Sequence, residues 1–360
     1  MGALIDNVIN FLTDPKILFF VAIILFLLSI QFAKVWTQPK IAGGIAAFIV
    51  LFGVYAATHH QVGVTLSKPD NIPIIIIIVV LGFLYWLALR QAVLNDVRIA
   101  AGEPPREAEE KNRKVLVWPD LVYTELIAMV VCTIVLIVWS VLIRAPLEEQ
   151  ANAARTPNPS KAPWYFLGLQ EILVYFDPWW AGVGLPGTIM MGLIAIPYVD
   201  RNPKGNGYFT LRERKGAITV FCFGFFILWL LLAFIGTFLR GPGWNVFGLF
   251  KDWDANYVAD LNNINLSEIV WVKILGMREP AAFYTRELWG FLAVIFYMGI
   301  LPVILAVTVF KKLFRELGAL RFGLVVNLGL LMAALPIKMI LRWTLNLKYV
   351  VYLPEIRMNI

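Results

Sequence analysis

Ile74-Ile75-Ile76-Ile77-Ile78-Val79-Val80-Leu81-Gly82-Phe83-Leu84 opens an apolar run that continues to Leu94 and is entered through Pro73. No charged residue interrupts it before Arg90. A helix of this length rises about 30 Å, the thickness of a bilayer's hydrocarbon core. The run therefore reads as a membrane span, and it holds nothing polar that would suggest a pathway. Runs of similar length recur on both sides of it: Ile17–Val35 and Ile41–Thr58 before it, then Leu121–Leu142, Trp180–Val199, Ala217–Leu239, Leu288–Phe310 and Phe322–Trp343. The fold class that follows is all-α, a polytopic membrane protein of about eight transmembrane helices.

Composition supports this reading. The chain is 60% hydrophobic and only 15% charged, against about a quarter charged in a soluble domain. Its mean hydropathy is +0.75. The net charge of +7 does not point to nucleic acid, because the basic residues cluster in short loops where they set topology. The loops after spans one, three, five and seven hold Lys34 and Lys40; Arg90, Arg98, Arg106, Lys111, Arg113 and Lys114; Arg201, Lys204, Arg212, Arg214 and Lys215; and Lys311, Lys312, Arg315 and Arg321. The basic residues of the opposite side fall mostly in two long loops and the tail. Both termini and the loop holding Pro163-Trp164-Tyr165 are therefore expected to face out, into the periplasm or its equivalent. No small-residue cleavage site follows the first run, so it reads as a span and not as a signal peptide.

Four parts are expected: a three-span module over 1–95, a charged cytoplasmic linker over 96–119, a module over 120–245, and a surface connection with two final spans over 246–360. The linker is marked by Glu103-Pro104-Pro105-Arg106-Glu107. The connection after the sixth span contains Trp244, Trp253 and Trp271 and should lie on the membrane surface. Pro336 marks a kink in the last span, near whose end Lys338 and Arg342 should snorkel to the interface.

Residues able to carry chemistry are few. Cys132 and Cys222 both fall inside apolar runs and read as small core residues. The only histidines are His59 and His60. Neighbours on a helix point about 100° apart and cannot clamp one iron from opposite faces. Glu125, in the first turns of the fourth span, is a candidate functional carboxylate that also lies shallow enough to reach the interface.

One polar connection differs from the rest. After the fourth span comes Asn158-Pro159-Ser160-Lys161-Ala162-Pro163-Trp164-Tyr165-Phe166-Leu167-Gly168-Leu169-Gln170-Glu171. Pro163 suits the first turn of a helix. Trp164 to Phe176 then reads as a short helix with Trp164, Leu167 and Glu171 on one face. An aromatic residue and a carboxylate so placed could hold a lipophilic quinol and take its proton. The same pattern also suits an interfacial amphipathic helix.

From Trp118 to Trp244 the chain resembles the C-terminal part of cytochrome b in quinol–cytochrome c oxidoreductases, which in cytochrome b6f complexes is a separate chain, subunit IV. The matching features are Trp118-Pro119-Asp120, Pro146-Leu147, Asn158-Pro159, Pro163-Trp164-Tyr165-Phe166, the Gly- and Pro-containing fifth span, and Asn202-Pro203 before a basic loop. The family's loop motif is Pro-Glu-Trp-Tyr. Here Ala162 and Pro163 stand in the first two places and only the Trp-Tyr pair is kept. Glu171, two turns on, is the nearest replacement for the missing acid.

The resemblance implies a haem-free half of a split cytochrome b, working on menaquinol or ubiquinol. It implies b haems in a partner chain that supplies the other half, a Rieske iron–sulfur protein, a c-type cytochrome subunit and a dimeric complex. It further implies that Pro163, Trp164, Tyr165, Phe166 and Leu167 shape an outer quinol site, that Glu171 accepts a proton, and that Asp120 contacts quinone at an inner site. Two other readings remain at this stage. A secondary transporter would need ionisable residues at mid-membrane depth, and the span centres are apolar. A cofactor-free anchor subunit would share the topology without needing the Trp-Tyr loop.

Overall fold

The computed structural model describes residues 2–109, 115–143, 150–154, 156–200, 209–259, 262–356 and 358–360. Pro146-Leu147 and Asn202-Pro203 lie outside them. Among the described residues, seven helices are long and apolar enough to cross a membrane, or eight if the bent pair Gly2–Leu12 and Pro15–Gln31 counts as one. The protein is a polytopic all-helical membrane protein. Beyond the helices there is a two-residue antiparallel ladder, Tyr352–Leu353 against Met358–Asn359.

Two compact units are present. The first holds residues 1–165, 204–227 and 237–257; the second holds 166–203, 228–236 and 258–360.

In the first unit, Asp14 starts the second helix by accepting the Lys16 N–H at 3.0 Å, with Pro15 at the helix's first position. This sets a 79° bend between the two N-terminal helices. The next span, Pro39–Ala57, again begins on a proline. Span three runs Ile72–Ala100, longer than its apolar run. The extra turn has a reason. Buried Asn95 donates to Glu107 Oε2 at 2.7 Å and to the Phe209 carbonyl at 3.0 Å, and accepts the Arg106 N–H at 3.1 Å. The start of the charged linker is thus pinned to the helix it follows. Ala33, Leu89 and Val93 form a core with Trp36, Tyr85 and Leu211 around them. The fourth span, Val122–Leu142, buries none of its residues.

In the second unit, the seventh span (Leu288–Val307) and the last helix (Lys311–Leu345) pack through Ala306, Leu317, Phe322 and Val326. Gly318 breaks the last helix with φ 75° and ψ 170°, a conformation that only glycine adopts readily. The C-terminal tail docks on the start of the seventh span. The buried Glu287 carboxylate accepts the Tyr352 N–H at 2.9 Å and the Arg286 Nε–H at 3.0 Å. Gly290 leaves room for the Val350 carbonyl, which an added Cβ would overlap.

Lys338 does not snorkel. Its residue is 3% exposed, and its ammonium lies 5.5 Å from the Phe176 ring centroid.

Candidate functional site

The connection after the fourth span is anchored at its polar end. In the first unit, Asn158 Oδ1 accepts the Gly243 N–H at 2.6 Å. Lys161 donates to the Thr237 carbonyl at 2.8 Å and sits 4.5 Å above the Trp253 ring. The Gly241-Pro242-Gly243 turn has the shape this requires, with Gly243 at φ 64°. An unclaimed backbone N–H there is met by a side chain 85 residues earlier.

The expected helix from Trp164 to Phe176 is shorter than its pattern. Trp164–Phe166 form one 3-10 turn, and the α-helix spans Leu167–Ile172. Phe166 at φ −97° and ψ −7° joins the two. After Ile172 the chain turns, and Pro178 opens the next helical segment.

In the second unit this short helix lies against the middle of the sixth span, Leu231–Phe234 and its flanks. Glycines on both elements permit the approach. A Cβ on Gly168 would stand 3.1 Å from the Trp229 carbonyl oxygen and 3.2 Å from its ring. A Cβ on Gly236 would stand 3.3 Å from the Leu167 carbonyl oxygen. The helix buries one face in consequence: Leu167 is 2% exposed and Glu171 0%. They stand four residues apart, one turn above the other. The Tyr175 hydroxyl donates to Glu171 Oε1 over 3.4 Å, and the Tyr175 ring meets Trp343 edge-on at 6.1 Å.

Tyr165 and Phe166 are about half exposed, at 47% and 50%. The Trp164 and Tyr165 rings meet edge-on at 5.5 Å. Such exposed rings offer apolar surface to a lipophilic ligand.

Pro163, Trp164 and Tyr165 belong to the first unit; Phe166, Leu167 and Glu171 belong to the second. The structure brings Leu167 and Glu171 onto one buried face. Asp120 stands apart, exposed at the entry to the fourth span, about 30 Å along a 21-residue helix from the end that leads into the loop. Glu125 is exposed on that same helix.

His59 is engaged elsewhere. His59 Nε2 lies 3.2 Å from Asp6 Oδ1, and its ring stacks on Phe250 at 3.8 Å. Phe250 in turn donates its N–H to Asn10 Oδ1 at 2.9 Å. His60, beside His59, is exposed.

Sequence reasoning passed over Tyr175, Lys161 and the Gly168–Gly236 pair. The glycines did carry a signal, since a glycine within a helix commonly marks close packing.

No solved structure matches the chain. Residues 150–249 match the family described as Cytochrome b(C-terminal)/b6/petD. The stretch from the anchored loop through the sixth span to Leu249 is a domain of the C-terminal cytochrome b, subunit IV-like type.

Proposed function

We propose that this chain is the haem-free, subunit IV-like half of a split cytochrome b, in a bacterial complex that oxidises menaquinol or ubiquinol. The observation that carries the reading is Glu171, fully buried on the loop helix of a cytochrome b C-terminal domain. It stands two turns after a family motif whose own acid is absent. In this reading Pro163, Trp164, Tyr165, Phe166 and Leu167 contribute to an outer-side quinol site, and Asp120 contributes to an inner one.

Quinol oxidation releases two electrons and two protons. Glu171 takes one proton from a quinol hydroxyl as the electrons leave, the second proton passes to water on the outer side, and the Tyr175 hydroxyl steadies the carboxylate meanwhile. The electron acceptors, a Rieske cluster and b haems, belong to partner subunits alongside a c-type cytochrome. Histidine content supports this division, because His59 and His60 are the chain's only histidines and make a poor axial pair. The exposed fourth span supports a partner or lipid around it. The three N-terminal spans, the linker, the cytochrome b-like module and the two final spans form the four functional parts, in a dimeric assembly with both termini periplasmic.

The test is purification of the intact complex, with redox-difference spectra and quinol–cytochrome c reductase activity for wild type, Trp164→Ala and Glu171→Gln. Co-purifying b haem, with turnover lost in Glu171→Gln at unchanged haem content, is the expected result. A complex without b haem ends the reading. Normal turnover in Glu171→Gln removes Glu171 from the mechanism.

A further inference from the structure

The last turns of the final helix carry a cation with no counter-charge among the described residues. Lys338 is 3% exposed, and its Nζ is buried without a hydrogen-bond partner. Its neighbour is the face of Phe176 at 5.5 Å. Isolated burial of an ammonium is costly unless an anion shares the site.

Two more cations, Arg342 and Lys348, bear on it electrostatically. Arg342 lies one turn on, on the same helix face. Among the described residues its guanidinium reaches neutral oxygens: the Asn262 carbonyl at 3.2 Å, the Asn346 carbonyl at 2.9 Å and Asn263 Oδ1 at 2.7 Å. Lys348 follows the left-handed cap at Asn346, φ 54°, and its ammonium faces the Tyr349 ring at 5.4 Å. Burial, with Arg342 next, pushes the Lys348 ammonium below its ordinary range.

Among the described residues, no carboxylate lies within ion-pair distance of any of the three. Asp177 is the acid whose charge reaches Lys348, and its own oxygens already accept Asn359 Nδ2 at 3.0 Å and the Trp179 N–H at 3.2 Å. Three cations therefore face one anion that is engaged elsewhere. Arg342 and Lys348, half-buried, form an open rim, and Lys338 lies one turn deeper.

We propose that Lys338, Arg342 and Lys348 form a binding site for a phosphate-bearing anion at the membrane boundary, supplied by an anionic phospholipid headgroup or by free phosphate. The three cations lie outside the cytochrome b-like stretch 150–249, and the proposal does not rest on the quinol reading. A phosphate oxygen offers the charge that Lys338 lacks, and Arg342 is suited to fork onto it. Charge-assisted hydrogen bonds of this kind hold a phosphate more strongly than neutral ones.

The test uses the full chain in its complex, in detergent depleted of lipid. Phosphatidylglycerol, phosphatidylcholine and inorganic phosphate are added separately while thermal stability and bound phosphorus are measured. Lys338→Met and the rim variant Arg342→Gln/Lys348→Gln are compared with wild type. Phosphatidylglycerol, and not phosphatidylcholine, should stabilise wild type. Each cation removed should weaken the response roughly fivefold, the equivalent of about 1 kcal/mol per basic residue at an anionic surface. Equal stabilisation by inorganic phosphate alone supports the site and names the soluble anion as its occupant. No binding of either source, or a response in both variants equal to wild type, overturns the proposal. Because the rim variant alters half-buried side chains, it keeps the test decisive if Lys338→Met fails to assemble.

Discussion

A methyl group on Gly168 would stand 3.1 Å from the carbonyl oxygen of Trp229. That obstacle is backbone in the middle of a span, so it cannot rotate away as a side-chain end would. Gly168→Ala should therefore lift the loop helix from the sixth span and lower stability by about 1–3 kcal/mol. Gly187→Ala, with nothing within 4 Å of its added Cβ, is the matched control. Thermal inactivation midpoints of the two variants check this. Equal midpoints would refute the close-packing account.

Tyr175→Phe removes the hydroxyl that donates to Glu171 over 3.4 Å and keeps the ring against Trp343. A hydrogen bond of this length is worth about 1 kcal/mol, so quinol oxidation should slow by roughly tenfold or less. Glu171→Gln should cost about 10²–10⁴-fold, the usual share of a proton-transferring group. Steady-state turnover measured across pH separates the two. If Tyr175→Phe were as damaging as Glu171→Gln, the hydroxyl and not the carboxyl would be the proton carrier.

Lys161→Met severs the bond to the Thr237 carbonyl and the contact with the Trp253 ring. A cation over a tryptophan face contributes about 0.5–2 kcal/mol. The expected result is faster proteolytic nicking within residues 156–163 and a raised KM for quinol, with haem spectra unchanged. Unaltered cleavage would show that Asn158 holds the loop without help.

The C-terminal tail should respond to acid. Glu355 is held below the usual carboxyl range by its own backbone N–H and by the Arg286 guanidinium at 3.1 Å. A depressed carboxyl contributes its stabilisation above the unfolded value, about 4.3, and loses it as pH falls through the folded value. Amide protection of Tyr352 and Leu353, corrected for intrinsic exchange rates, should therefore drop on going from about pH 6 to about pH 3. In Glu355→Gln it should be low at both. A tail equally protected at both pH values in wild type would assign its docking to buried Glu287 alone.

Asn10→Ala leaves the Phe250 N–H, now bonded at 2.9 Å, without its acceptor. An orphaned donor costs about 1–3 kcal/mol, so the helix Gly2–Leu12 should exchange its amides faster while the spans keep theirs. Hydrogen exchange resolves this, and unchanged protection would mean that the stack of His59 on Phe250 suffices.

The amino-acid sequence determined the membrane class and most span positions, because crossing hydrocarbon demands about twenty apolar residues in a row. That demand is local and leaves its record in composition: Pro39–Ala57 and Val122–Leu142 fall within a residue or two of their apolar runs. The Trp-Tyr loop motif was equally legible, since it is a contiguous string, and it led to the same domain type that the family match gives for residues 150–249. Tertiary structure alone decided what depends on partners far apart in the chain. The loop helix stops at Ile172, and Asn95 draws the charged linker onto the third span. Lys338 turns inward toward Phe176, where its length alone suggested snorkelling. The physical reason is common to these cases. Burial and hydrogen bonding are set by which surfaces meet, and helical periodicity names a face without naming what will cover it.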